Sequence, residues 1–325
     1  MSTLPSSVYL QSFLAPLVPY LARAEVTDLF INRPREIWLE SLGGKIERLE
    51  VSELEPDLLA RLARQIAALT AQGISRENPL LAATLPTGER IQVVIPPATR
   101  GEIAIAIRKH AVSSLALSDY QLRGDSGGDG AIGGGNTSLH TNSHEDSPER
   151  ILGQAVRERR NILVSGGTSS GKTTLLNVLM KQVPCHERLI LIEDTPELQL
   201  THDNMVGLVA TRGGLGEANV SQEDLLIAAL RMRPDRIILG EIRGGEATTF
   251  LRAVNTGHPG SLSTIHADSP SRAIDQLALL VLQTGLRMSW ENVVTYVRRS
   301  LDLIVQLEMT GGRRSISAIE LVRAV

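Results

Sequence analysis

Residues 166–173 read GGTSSGKT, which is the phosphate-loop pattern of a glycine, four residues and then Gly-Lys-Thr. The residues before it, 161–165, form a short apolar and partly β-branched run of the kind that makes a buried strand. The residues after it, 174–182, carry leucines at helical spacing, and Pro184 closes that segment. A strand, a glycine-rich loop and a helix start together direct backbone N–H groups at one anion. The motif therefore predicts a nucleoside triphosphate site.

The residues of this loop have separate expected roles. Lys172 is expected to contact the β- and γ-phosphates, and the Thr173 hydroxyl is expected to bind Mg²⁺. The other residues that we expect to contact the nucleotide belong to the loop or to the first turn of the helix: Gly166, Gly167, Thr168, Ser169, Ser170, Gly171 and Thr174.

Length and composition limit the class of protein. A chain of 325 residues favours two domains, and 42% hydrophobic with 21% charged residues is typical of a globular protein. The net charge of −3 gives no overall basic field, and aromatic residues are only 3% of the chain. Strand-binding proteins need basic and aromatic side chains, so we expect no direct sequence-specific binding of nucleic acid.

The chain also carries signals about its compartment. No apolar run approaches the roughly 18 to 20 residues that a membrane span needs, so any membrane contact is expected to be peripheral. The N-terminal residues lack the basic-then-apolar order of a signal peptide. Cys185 is the one cysteine, which excludes an intramolecular disulfide and fits a reducing cytosol. We therefore predict a cytoplasmic protein.

Residues 1–112 are predicted to form an α+β domain with a largely antiparallel sheet. Residues 56–72 have the clearest amphipathic helical pattern, and 9–21 favour a short helix interrupted by two prolines. The strand-like runs are 28–32, 36–41, 45–51, 80–85, 90–95 and 102–108.

Residues 113–148 are predicted to be a linker between two domains. Its part 123–148 is rich in Gly, Ser, Asp and Asn and has scarcely an apolar residue. Such a segment cannot offset the entropy of ordering by burial, so we expect that part to be flexible.

Residues 149–325 are predicted to form a second domain, in which strands and helices alternate. Such alternation predicts a mostly parallel sheet that is covered on both faces. The predicted strands after the phosphate loop are 188–193, 205–212, 236–240 and 261–266. Helices are predicted after Ser221, from 246 to 256, from Pro270 and from Trp290, and a hairpin is predicted at 311–312.

Two strands of this domain end in carboxylates. Glu241 follows the run 236–240, and Glu193 and Asp194 end the run 188–193. The carboxyl ends of parallel strands are where such sheets place functional side chains. A carboxylate there can orient water toward the γ-phosphate or hold Mg²⁺ through a water, although surface charge beyond a strand is also common. We predict Glu241 and Glu193 as catalytic residues, with Glu241 also at the metal.

Two histidines flank another strand of the same sheet. His258 and His266 bracket the run 261–266, and an imidazole there can approach the γ-phosphate. A purely structural role for both histidines is equally consistent with the residues alone.

Four motifs together carry a resemblance to a known family. GGTSSGKT, LIEDTPEL, ALRMRPDRIILGEIRGGEA and NTGHPGSLSTIHAD occur in this order. They resemble the phosphate loop, acidic box, Walker B segment and histidine box of the secretion ATPase superfamily, which includes type II secretion and pilus-retraction motors. RMRPDRIILGEIRG, GHPGS, IHAD and the N-terminal EVTDLFINRPREIWLE are most similar to its type IV secretion and conjugation branch, the VirB-type traffic ATPases. The resemblance covers nearly the whole chain.

The resemblance implies a ring-shaped homo-hexamer that binds ATP and Mg²⁺ between an N-terminal domain and a RecA-like C-terminal domain. It makes Glu241 the Walker B carboxylate and Glu193 the acidic-box carboxylate, and it assigns His258 and His266 to the histidine box. Which carboxylate positions the attacking water stays open.

The resemblance also implies arginines that reach the phosphates from the N-terminal domain. The matching positions are Arg90 in GERIQVVIPP and Arg108 in AIAIRK. A role for both as salt-bridge partners at a sheet edge is an equally open interpretation.

The implied function is ATP hydrolysis that powers assembly of, or substrate transfer through, a type IV secretion or conjugation system. Its partners would be other subunits of an inner-membrane complex, with the protein at the cytoplasmic face of that membrane. Two alternatives are a pilus or type II secretion motor, which commonly has HTN at 266–268, and a nucleotide-gated scaffold without turnover.

Overall fold

The computed structural model describes residues 6–70, 72–109, 115–120, 147–211, 219–310 and 313–322. These residues divide into two compact units, one within 1–112 and 212–219 and the other within 113–211 and 220–325. Residues 121–146, which include most of the predicted flexible part 123–148, lie outside the described residues.

The first unit contains a six-stranded sheet of order β3-β2-β1-β6-β5-β4, in which every neighbouring pair is antiparallel. The prediction of an α+β unit with a largely antiparallel sheet is therefore confirmed. Its elements are α1 (Ser6–Leu14), α2 (Val18–Leu21), β1 (Val26–Ile31), β2 (Glu36–Ser41), β3 (Ile46–Glu50), α3 (Pro56–Leu69), β4 (Leu80–Thr84), β5 (Arg90–Val94) and β6 (Ala104–Arg108).

The core of the first unit follows from the helical spacing of apolar residues in α3 and from the alternation of buried residues in the strands. Helix α3 buries Leu59, Leu62 and Ile66, which recur at three- and four-residue spacings and so share one face. The strands bury alternate residues, such as Ile105 and Ile107 on β6, and this places one sheet face against the helices.

The second unit is built on a seven-stranded sheet of order β13-β12-β7-β11-β10-β8-β9, in which only β13 runs antiparallel to its neighbour. Its strands are β7 (Ile162–Gly166), β8 (Leu189–Glu193), β9 (Met205–Val209), β10 (Arg236–Ile242), β11 (Leu262–Ile265), β12 (Leu303–Thr310) and β13 (Arg313–Leu321). Its helices are α4 (Pro148–Arg157), α5 (Lys172–Met180), α6 (Gln222–Ala229), α7 (Glu246–Asn255), α8 (Pro270–Gln283) and α9 (Trp290–Ser300).

Helices cover both faces of this sheet. One apolar cluster joins it to α6, α7, α8 and α9, and the other joins it to α4 and α5. The mostly parallel, doubly covered sheet that the alternating pattern predicted is therefore confirmed. None of the helices in the described ranges is long and apolar enough to cross a membrane.

Some boundaries differ from the sequence-based expectations. Strand β10 continues past Gly240 to Ile242, so Glu241 lies within the strand rather than after it. Residues 115–120, which fall in the predicted linker, contain a 3₁₀ turn at Leu117–Asp119 that buries Leu117 and Tyr120 in the second unit. Helix α4 was not predicted.

Candidate functional site

The phosphate loop links β7 to α5 and needs glycine at two of its positions. Gly171 has a φ of 96°, in the left-handed region that side chains rarely adopt. A Cβ atom there would also lie 2.8 Å from Cδ of Arg314. A Cβ on Gly166 would overlap the Ser170 hydroxyl and lie 3.0 Å from the carbonyl oxygen of Leu307. The spacing of the two glycines is therefore a steric requirement of this loop.

The first residues of α5 place a cation and a hydroxyl beside the loop. Nζ of Lys172 donates to the carbonyl oxygens of Gly166 and Gly167, both at 2.9 Å. Oγ1 of Thr173 donates to Oε2 of Glu197 at 3.1 Å. The N–H groups of a helix's first turn have no acceptor within the helix, and the helix dipole makes this end positive. The arrangement is suited to a polyphosphate.

Strand pairing brings the predicted catalytic residues to the carboxyl ends of the parallel strands, which is the end of the sheet at which this loop lies. Ile265 on β11 is opposite Ser165 on β7, so His266 follows at the level of Gly166. Leu239 on β10 is opposite Ile192 on β8, so Glu193 and Glu241, which follow them, lie at the same carboxyl end of the sheet. His266 is exposed. The structure thus groups Glu193, Glu241 and His266 with the phosphate loop.

His258 lies at the opposite end of β11. Its ring Nδ1 is 3.2 Å from the carbonyl oxygen of Ala253, and its own carbonyl accepts from the Ser261 hydroxyl at 2.8 Å. The four residues of β11 separate its two ends by about 13 Å, at about 3.3 Å per residue. The structure therefore does not bring His258 to the phosphate loop of the same chain.

Glu193 is a buried carboxyl group, with 4% of its surface exposed. Its Oε2 accepts from the backbone N–H groups of Glu197 and Leu198, both at 2.7 Å. Burial raises the pKa of Glu193 to about 7, although these two hydrogen bonds act against the rise. The side chain therefore titrates near neutral pH and holds the turn that carries Glu197.

The raised pKa predicts a specific dependence of stability on pH. Between about pH 4.5 and pH 7 the unfolded chain releases the Glu193 proton while the folded chain keeps it, so the folded state loses stability as the pH rises. The full loss is about 3 kcal/mol, since one pKa unit corresponds to about 1.4 kcal/mol. Glu193→Gln removes this titration and keeps an oxygen that can accept both N–H groups.

We therefore expect Glu193→Gln to gain about 2 to 3 kcal/mol in unfolding free energy relative to wild type when the pH is raised from about 5 to about 8. Urea unfolding of the full chain at both pH values measures this change. An equal difference between the two proteins at both values would contradict the assignment.

Sequence reasoning missed Glu197, although the acidic motif LIEDTPEL contains it. Besides its bond with Thr173, Glu197 is linked to α5 through Asn177. Nδ2 of Asn177 donates to the Glu197 carbonyl at 3.3 Å, and the N–H of Gln199 donates to Oδ1 of Asn177 at 2.7 Å. The acidic segment is thereby fixed to the phosphate-loop helix.

Sequence reasoning also missed the groups that hold Glu241. The Arg243 guanidinium forms an ion pair with the Glu241 carboxylate, and its Nη1 lies 3.7 Å from Oδ2 of Asp194. The backbone N–H groups of Arg243 and Gly244 donate to Oε1 of Glu246 at 2.6 and 2.7 Å. The short GEIRGGE segment is therefore ordered by contacts of its own residues near Glu241.

The two candidate arginines of the first unit face each other. Arg90 on β5 is directly opposite Arg108 on β6, and Asp28 on β1 is opposite Arg108 on its other side. Nε of Arg108 is 3.8 Å from Oδ1 of Asp28. Like charges directly opposite one another destabilise a sheet, and Asp28 supplies an opposite charge beside Arg108.

The oxygen atoms near the loop are of the kind that Mg²⁺ prefers as ligands. This ion prefers oxygen ligands, keeps several waters and binds to one or two protein groups together with phosphates. Thr173 supplies a hydroxyl, and Glu197 supplies a carboxylate within hydrogen-bond distance of it. Within the described ranges, no group of three or more His, Cys, Asp and Glu side chains forms a metal cage by itself.

Comparisons with known proteins show which family the sequence matches. Residues 11–310 match the family described as Type II/IV secretion system protein. The chain is 36% identical over 329 residues to the type IV secretion system protein VirB11 of Bartonella quintana, covering 94% of this chain and 91% of that protein. It is 38% identical to the type IV secretion system protein PtlH of Bordetella pertussis, covering 92% and 90%.

A solved structure shares the fold. The crystal structure of the pilus retraction motor PilT with bound ADP aligns with a TM-score of 0.63 at 21% identity, covering 97% of this chain and 83% of that one.

Proposed function

The chain belongs to the type II/IV secretion system protein family, and we propose that it hydrolyses ATP to power assembly of, or substrate transfer through, a bacterial type IV secretion or conjugation system. The observation that carries this proposal is the placement of Glu241 and Glu193 at the sheet edge that bears a complete phosphate loop. Phosphate binding and carboxylate chemistry are thus combined at one site.

The loop residues bind the substrate. Backbone N–H groups from 166–174 hold the phosphates, and Lys172 exchanges its two loop carbonyl partners for the β- and γ-phosphate oxygens. Mg²⁺, when bound, neutralises charge on the phosphate oxygens. Thr173 and Glu197 are the residues that would hold it, and Glu241 would act on it through a water.

Glu241 is the residue that we assign to the attacking water. It is partly exposed, whereas Glu193 is buried and uses one oxygen to hold two backbone N–H groups. The water oxygen forms a bond to the γ-phosphorus while the bond to the β–γ bridging oxygen breaks, and that oxygen keeps the electron pair on ADP. Glu241 orients the water and accepts its proton. His266 lies at the same edge, where it can contact the γ-phosphate.

Assembly extends this proposal beyond the single chain. We place Arg90 and Arg108 at the phosphates of a homo-hexamer, because opposed guanidinium groups favour a bound anion. The proposed complex includes other subunits of the secretion system and lies peripherally at the cytoplasmic face of the inner membrane.

Two measurements on the purified chain test the function. We expect phosphate release from ATP that requires Mg²⁺ and stops with a chelator, and we expect six-fold rings by negative-stain electron microscopy with ATP. A nucleotide-gated scaffold would bind ATP without releasing phosphate, and that result would reject the enzyme assignment. Rings of another symmetry would reject the hexamer alone.

A further inference from the structure

The C-terminal hairpin extends beyond the phosphate loop. Leu307 on β12 is opposite Gly166, the last residue of β7, and β12 continues to Thr310. Arg314 on β13 is opposite Met309, two residues beyond the level of Gly166. The hairpin therefore carries Arg314 past the sheet edge, to the level at which the loop turns into α5.

The Arg314 side chain lies directly against the start of α5. Its Cδ and Nε are 2.8 and 3.2 Å from the position of a Cβ on Gly171, so only a glycine allows this contact. Its Nη1 donates to Oγ1 of Thr174 at 3.4 Å. Thr174 is the third residue of the helix, whereas Lys172 contacts the carbonyl of Gly166 at the β7 end of the loop.

Arg314 has more hydrogen-bonding capacity than its neighbours use. The side chain is partly buried, and a guanidinium has several N–H donors. Within the described residues, the guanidinium of Arg314 forms one hydrogen bond, the long contact with Thr174, and no carboxylate forms an ion pair with it. A partly buried cation beside a helix N-terminus is unfavourable unless an anion binds between them.

We propose that Arg314 binds the phosphate nearest the ribose of the bound nucleotide, the α-phosphate. Lys172 lies over the β7 end of the loop, and Arg314 lies over its α5 end, so the two cations bracket the phosphate chain. The α-phosphate is common to ADP and ATP, and Arg314 therefore contributes to the binding of both.

This inference rests on the proposed nucleotide site, and equilibrium binding separates the two. Isothermal titration calorimetry with Mg²⁺ compares ADP with a non-hydrolysable ATP analogue on the wild-type chain, Arg314→Ala and Arg314→Lys. Arg252→Ala, an exposed arginine on α7, is the control. We expect Arg314→Ala to weaken both ligands equally, by about tenfold or more, as for loss of a charged hydrogen bond.

The other variants refine the result. Arg314→Lys keeps the stem that packs on Gly171 but loses the forked donor, so we expect an intermediate loss for both ligands. Arg252→Ala should bind like wild type.

Several results would overturn the inference. One is wild-type affinity of both Arg314 variants for both ligands, and another is a loss confined to the ATP analogue, which would move Arg314 to the γ-phosphate. If Arg314→Ala does not fold, unchanged binding of both ligands by Arg314→Lys is the overturning result. A wild-type chain that binds neither ligand would instead reject the proposed function.

Discussion

Glu241→Gln is expected to stop ATP turnover while ATP stays bound. The amide keeps the shape of the side chain but cannot accept a proton from the attacking water, and a positioned general base contributes about 10²- to 10⁴-fold in rate. The phosphate loop and Lys172 are untouched, so binding is retained. Phosphate release and retention of radiolabelled ATP on the same sample measure the two effects.

Lys172→Ala provides the contrasting variant. It removes the cation that we assign to the β- and γ-phosphates, so both hydrolysis and ATP binding should fall. Glu291→Gln makes the same chemical change as Glu241→Gln at an exposed position in the first turn of α9, and it should behave as wild type. Hydrolysis at the wild-type rate by Glu241→Gln would show that another group, with Glu193 or Glu197 the next candidate, positions the water.

Arg108→Lys and Arg90→Lys are expected to reduce turnover by about 10³- to 10⁵-fold if these arginines reach the phosphates. This corresponds to roughly 4 to 7 kcal/mol of transition-state stabilisation, at about 1.4 kcal/mol per factor of ten. Lysine keeps the positive charge, which at Arg108 lies opposite Asp28. It loses the forked geometry that binds two phosphate oxygens, so it should restore little of the activity. Phosphate release by assembled protein measures the effect.

The control for this pair is Arg61→Lys, an exposed arginine on α3. Ring formation is checked separately by electron microscopy, because a lost ring would lower turnover for a different reason. Activity within about threefold of wild type in assembled Arg108→Lys or Arg90→Lys would be far below the expected loss. In that case the salt bridge with Asp28 would be the better explanation for the role of Arg108.

Local sequence patterns determined most of the fold. The glycine-lysine-threonine spacing at 166–173 places a strand, a loop and a helix, because only glycine tolerates the backbone and the close contacts there. Ser221 and Asp224 form the predicted capping box, and Ser269 caps the helix that begins with Pro270. Such signals work within a few residues, where the backbone and its neighbouring side chains decide the structure.

The tertiary structure alone decided which side chains meet. The bonds between Glu197 and Thr173 and between Arg314 and Thr174 join residues that are 24 and 140 positions apart. Strand order and register, which no local pattern specifies, create these contacts. The same order separates His258 from His266, because the two histidines lie at opposite ends of one strand. Burial of Glu193, and with it the raised pKa, likewise depends on the strands and turn that surround the carboxyl group.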